Sequence, residues 1–217
     1  MEQFYDISHI EKKGTPYASA ILSNSGTYLS TCHKCKSIKV NRSNKDLILV
    51  IEGKGELPDY LLCGQYPLFI ISNKTLKMWQ KYSVTGYDAF PIAGLINKDG
   101  EEIITDIRYF DIHITGRVKF DFNKMNVKIK YRCQKCGAVE YNKQVWQFGL
   151  AYVKQGSYDE SDLFVAEYFE TAPLCTEKIL DIVYKENLTN FKFRTFESQF
   201  MFLNRPPAID LQKHFRD

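Results

Sequence analysis

Thr31-Cys32-His33-Lys34-Cys35-Lys36 and Arg132-Cys133-Gln134-Lys135-Cys136-Gly137 are the two stretches that decide how this chain folds. Each is a CxxC, a spacing at which both sulfurs reach one ion, and together they offer four thiolates, Cys32, Cys35, Cys133 and Cys136, enough to close a tetrahedron around zinc. Residues 36–132 lie between the pairs, a far longer spacer than that of an ordinary zinc ribbon, so the site must close over a long insertion. Closure entropy rises only slowly with loop length, which makes such a spacer tolerable.

The flanks favour knuckles. Asn126-Val127-Lys128-Ile129-Lys130-Tyr131 alternates apolar and polar residues before Cys133, and Ala138-Val139-Glu140-Tyr141 reads as a return strand, with Gly137 suited to the left-handed turn between them. The first pair has Gly26-Thr27-Tyr28-Leu29-Ser30 before it and Ser37-Ile38-Lys39-Val40 after it, but Lys36 stands where the glycine belongs. A redox pair, a disulfide and an iron–sulfur site compete with a structural Zn2+. The redox reading wants a strand-to-helix junction that neither CxxC shows, and a catalytic zinc needs an open position that four thiolates do not leave. Cys63 and Cys175, beside Leu62 and Leu174, read as small buried apolar residues, and His33 is a candidate substitute ligand.

A content of 44% hydrophobic and 14% aromatic residues is enough for a real core. The formal charge of +3 arises from 29 basic and 26 acidic residues, and no Lys/Arg run exceeds two, so nucleic acid is not the favoured partner. Met1-Glu2-Gln3-Phe4-Tyr5-Asp6 does not begin a signal sequence, and no segment has the roughly 18 apolar residues of a membrane span. The expectation is a cytoplasmic protein with no membrane partner. In a reducing cytosol its cysteines stay thiols unless a metal or a catalytic role holds them. Composition leaves the oligomeric state open.

The residue pattern predicts an α+β fold, mixed and strand-rich, with two or three short helices. Strands are expected over 46–52, 67–72, 101–104, 106–114, 117–122, 127–132, 162–168 and 190–196, and helices over 58–63, 73–82 and 176–186. The last two carry capping residues, Ser72 or Asn73 and Thr176. Around them an order recurs: Leu68-Phe69-Ile70-Ile71-Ser72, a helix, Val84-Thr85-Gly86-Tyr87; then Leu163-Phe164-Val165-Ala166-Glu167, a helix, Leu188-Thr189-Asn190-Phe191. Gly and Asn are the residues that best take the left-handed geometry after a helix, so the match has a backbone reason. It is either a duplicated strand–helix–strand unit or the chance agreement of two common ones. We expect one zinc-braced domain over 1–217, with knuckles at 25–42 and 126–142, an inserted α+β unit at 54–122 and a C-terminal unit at 160–198. A fragment ending near residue 125 would lose half the ligands, so folding of the parts should be coupled through zinc.

Catalytic signatures are missing from the sequence: His9, His33, His113 and His214 are scattered, and there is no HExxH, nucleophile elbow or phosphate loop. Asp106-Ile107-Arg108-Tyr109-Phe110-Asp111-Ile112-His113 offers acid–base groups, but reads better as a strand with a wet face. Asp99, Glu101, Glu102, Asp106 and Asp111 make a locally acidic stretch suited to a basic partner protein.

Two CxxC knuckles this far apart, the second completed as Cys133-Gln134-Lys135-Cys136-Gly137, resemble the bacterial double-CXXCG motif family, whose members are regarded as immunity proteins of polymorphic toxin systems. Thr176-Glu177-Lys178-Ile179-Leu180 leading to Leu188-Thr189-Asn190-Phe191-Lys192-Phe193 is similar to the closing helix and strand start of such immunity families, so the resemblance spans about residues 25–197. It departs from the pattern at Lys36 and Asn190, both in place of glycine. The resemblance implies a protein made beside a toxin that neutralises the cognate toxin domain by stoichiometric binding, not an enzyme, with zinc holding the scaffold. A zinc-ribbon nucleic-acid-binding or regulatory protein is the alternative, in which Lys34, Lys36, Lys39, Arg42, Lys130, Arg132 and Lys135 would meet phosphates.

Overall fold

The two halves of the chain fold into the same succession of elements. In the computed structural model, which describes residues 4–10, 13–23, 29–40, 46–63, 68–142, 152–167 and 169–195, the first half runs β1 (Phe4–His9), β2 (Tyr17–Ser23), β3 (Leu29–Thr31), β4 (Ile38–Val40), β5 (Leu47–Glu52), β6 (Tyr60–Leu61), β7 (Ile70–Ser72), α1 (Asn73–Lys81) and β8 (Tyr87–Pro91). After β9 (Gly94–Ile96) the second half repeats it, with the single bridge residue Val153 in the place of β5: β10 (Tyr109–Ile114), β11 (Gly116–Val118), β12 (Ile129–Arg132), β13 (Val139–Tyr141), β14 (Leu163–Ala166), β15 (Phe169–Thr176), α2 (Glu177–Lys185) and β16 (Phe191–Thr195). The fold is α+β and strand-rich, with two helices among the described residues.

Hydrogen bonding makes the repeat explicit. One sheet has the order β6-β7-β10-β8 and another the order β11-β14-β15-β1-β16, so each half lends its first strand to the other half's sheet. Phe110 of β10 pairs with Ile71 and Pro91, and Tyr5 of β1 pairs with Cys175 and Thr195, the same register in both. Further out, the parallel bridge Ala18↔Cys63 matches Val118↔Ala166, and the pair Ala20↔Val50 matches Phe120↔Val153. The third sheet, β2-β5-β9, and the ribbons β3-β4 and β12-β13 complete the set. A reciprocal exchange, in which each half uses the same elements on the other, is the contact pattern of a twofold dimer. Here it is built within one chain.

The cores follow the same logic. Tyr60, Ile71 and Trp79 from the first half pack with Leu163, Ile179 and Ile182 from the second in one central cluster. Two outer clusters flank it: Ala18, Leu61, Cys63, Ile70 and Tyr109 occupy in one the places that Val118, Phe164, Ala166, Leu174 and Phe4 occupy in the other.

Asp59 and Asp162 pin the halves together. Asp59 accepts from the backbone and hydroxyl of Thr189 at 2.9 and 3.1 Å, and Asp162 from those of Thr85 at 2.9 and 3.1 Å. Lys74 and Lys178 pair with these carboxylates and also donate to carbonyls of the opposite half, Asn187 and Ser83. After each helix the left-handed residue is Ser83 (φ 51) or Asn187 (φ 50), and a second follows at Gly86 (φ 91) or Asn190 (φ 68). The glycine and asparagine anticipated as helix ends therefore serve the strand starts, three residues on.

Three expectations need correction. Residues 58–63 are not a helix: Tyr60 and Leu61 form β6, held by pairing with Ile71 and Ile70. The strand entering α2 is β15, so 163–166 is the counterpart of 60–63 and not of 68–72. Residues 101–104 contribute only the bridge Ile96↔Glu102. The expected strand ends at 67, 168 and 196 lie outside the described residues.

Candidate metal centre

Each knuckle is a tight turn at the tip of a two-stranded ribbon. In the first, Lys36 N donates to Cys32 O and Cys32 N to Ser37 O; in the second, Gly137 N donates to Cys133 O and Cys133 N to Ala138 O, all at 2.8 Å. These bonds fold the CxxC so that both sulfurs lie on one side of the turn. The residue after the second cysteine is left-handed in both, at φ 62 for Lys36 and φ 77 for Gly137, so lysine accepts a conformation that suits glycine.

The two tips meet. The four sulfurs of Cys32, Cys35, Cys133 and Cys136 all lie within 4.8 Å of one another, with Cys32–Cys133 at 3.9 Å and Cys35–Cys136 at 3.3 Å. A tetrahedral thiolate site with metal–sulfur bonds of about 2.3 Å has sulfur–sulfur edges of about 3.8 Å, so the cluster could hold a metal ion with little adjustment. Cys133 is buried at 1% exposure and the other three are half-buried.

The surroundings of the second knuckle suit thiolates, the ligand form, whereas Cys35 in the first is raised, the Ser37 bonds that lower it being outweighed by the neighbouring Cys136 and Cys133 sulfurs and by burial. The Ser37 hydroxyl, at 3.2 Å, and then the Ala138 amide hold the Cys136 thiol well below its usual range, at about 6. The amides of Cys136 and Lys135 lower Cys133 against the opposing effect of burial. Ser37 also contacts Cys35 at 3.1 Å. Its counterpart in the second knuckle is Ala138, so this hydroxyl belongs to one half only. Sequence reasoning passed over Ser37; its one signal was a hydroxyl residue two places after a ligand.

The remaining candidates separate. His33 is exposed and outside the sulfur cluster, its Nδ1 2.9 Å from Lys135 Nζ. Cys63 and Cys175 are buried, and burial pushes the Cys63 thiol up to about 12. Of the acidic stretch, Asp99, Glu101, Glu102 and Asp106 are exposed around a turn organised by Asn97, whose side-chain carbonyl accepts from the amides of Asp99 and Glu101. Asp111 leaves that group: on β10, between β7 and β8, it is 1% exposed and cannot face a partner. With Asp106 in water and Asp111 in the interior, the 106–113 stretch does not gather one set of acid–base groups. No helix among the described residues is long and apolar enough to cross a membrane. Compared with models of known protein families the chain matches none, and a search of curated proteins finds no match.

Proposed function

We propose that the chain is an immunity protein that neutralises a cognate bacterial toxin in the cytoplasm by stoichiometric protein–protein binding, with the four-cysteine centre holding a structural Zn2+. The observation that carries the reading is the four-sulfur cluster, two sulfurs from each half. An ion held by all four would have no position left for water or substrate and would act as a brace. The function then belongs to a surface. The surface we assign to the toxin is the acidic edge of Asp99, Glu101, Glu102 and Asp106, where Ile104 stands 94% exposed as an apolar anchor within a charged rim.

The test is co-expression with the toxin domain encoded beside the gene. Rescue of growth, an equimolar complex on gel filtration, and loss of both with Ile104→Asp are expected. A toxin that kills regardless of co-expression, with no complex formed, would sink the reading.

A further inference from the structure

The metal centre gathers charge that the sequence keeps apart. Segment 29–40 carries Lys34, Lys36 and Lys39 and no acid, and segment 128–142 carries Lys128, Lys130, Arg132 and Lys135 against Glu140 alone. The excess on this arm is larger than the +3 of the whole chain, so the rest of the molecule is acidic on balance. Four thiolates around a divalent ion subtract from the arm without reversing its sign.

Two further observations mark the arm as more than a solvated tip. β12 is exposed along its whole length, and Ile129 and Tyr131, turned to opposite faces of the ribbon by the register shift between them, are 41% and 43% exposed. Lys36 holds a left-handed backbone that its counterpart Gly137 takes without strain. A strained lysine where glycine would relax the turn puts a cation in the first knuckle, two residues from Lys34.

We propose that this metal-braced arm binds single-stranded nucleic acid, with Lys34, Lys36, Lys128, Lys130, Arg132 and Lys135 on phosphates and Tyr131 stacked on a base. Cations tracking a backbone beside an exposed ring are the combination that holds unpaired strands, whereas a duplex offers the ring no free base face. The site shares no residue with the acidic edge and stands or falls independently of the immunity reading.

The test uses the full-length, zinc-loaded protein and a fluorescein-labelled oligothymidine of about 20 nucleotides, with anisotropy read from about 50 to about 200 mM salt. Six phosphate contacts predict a slope of log affinity against log salt of about −4. Lys36→Gly should reduce that slope by about 0.7 while the thermal midpoint holds or rises, an outcome that misfolding cannot imitate. Tyr131→Ala should weaken binding about tenfold and Tyr131→Phe should restore it. All three variants should keep one metal per chain, and Lys77→Gln on α1 should change nothing. No binding at about 50 mM salt, or binding indifferent to Lys36→Gly and Tyr131→Ala, overturns the proposal. Equal competition by polyglutamate of matched charge also overturns it, in favour of an acidic protein partner.

Discussion

At the scale of single residues, the duplicated design shows what each position requires. Gly86 and Asn190 occupy equivalent left-handed positions, yet a Cβ at Gly86 would lie 2.0 Å from Leu163 O, whereas Asn190 turns its amide onto Tyr60 O at 2.7 Å. Gly86→Ala should therefore cost about 3 kcal/mol or more, because backbone has to move, and Asn190→Gly only about 1 kcal/mol. Urea unfolding of both variants decides it; equal costs would mean that the close approach at Gly86 is not rigid. Burial sets a second residue-level outcome. It raises Cys63 to about 12 and raises Tyr60 and Tyr109 above the usual phenol range. An acid whose folded pKa exceeds its unfolded value holds more protons folded than unfolded between the two, so stability falls as pH rises through that window. Unfolding free energy should rise from pH 7 toward about 9, where the unfolded chain still binds protons that the lowered Cys133 and Cys136 thiols have shed, and decline above it, by at most about 1.4 kcal/mol per group for each pH unit climbed within its window. A flat profile up to about pH 11 would contradict that burial. The gathering of Cys32, Cys35, Cys133 and Cys136 and the burial of Cys63 and Cys175 were legible in the sequence, because spacing and apolar neighbours are local properties. Asp111 was not, since the letters around it are charged and only its place between two strands removes it from water.

At the scale of elements, the helices were readable and several strands were not. α1 and α2 carry their own evidence in 3.6-residue periodicity and a cap, and both fall within a residue of the expected limits. β6 and β15 depend on partners distant in the chain: Tyr60-Leu61 is a strand only because Ile70 and Ile71 pair with it, and β15 lies between β14 and β1. The caps differ although the positions correspond. Ser72 Oγ accepts from Thr75 N at 3.2 Å and donates to Asp59 at 2.7 Å, whereas Thr176 makes no side-chain cap bond and reaches Asp162 at 3.4 Å. Ser72→Ala removes a cap and one partner of a buried carboxylate and should cost about 2 kcal/mol, seen as a fall of about 4–8 °C in the thermal midpoint. Thr176→Ala should cost about half as much. Equal losses would place the importance of these residues in the strands rather than in the caps.

At the scale of the whole molecule, the chain is a twofold dimer folded from one polypeptide, and this was only half legible because the offset between equivalent residues drifts. Tyr82 and Glu186, which end the two helices, are 104 positions apart, whereas Cys32 and Cys133 are 101 apart, since the intervening loops differ in length. A strand–helix–strand match was visible; the exchange of β1 and β10 was not, because pairing partners leave no local trace. The exchange also changes what a metal in the four-cysteine centre would be for. Sequence spacing made zinc the coupling between two halves, but the central cluster already draws on both halves and the Asp59 and Asp162 clamps cross between them. A metal held by the four cysteines would instead join the tips of two ribbons, of which β12-β13 is anchored through Tyr141 against Phe122. Chelation should therefore free the knuckles without dissolving the core. In a Trp146→Phe background, emission from the buried Trp79 should stay blue-shifted at room temperature after metal removal, while the four ligand thiols become reactive and Cys63 and Cys175 stay protected. With free zinc near a thousand times its dissociation constant the ion contributes about 4 kcal/mol, so the apo thermal midpoint should lie about 8–16 °C lower. Red-shifted emission with all six thiols reactive at room temperature would show that the shared core cannot stand without the brace, and would return the coupling of the halves to the metal.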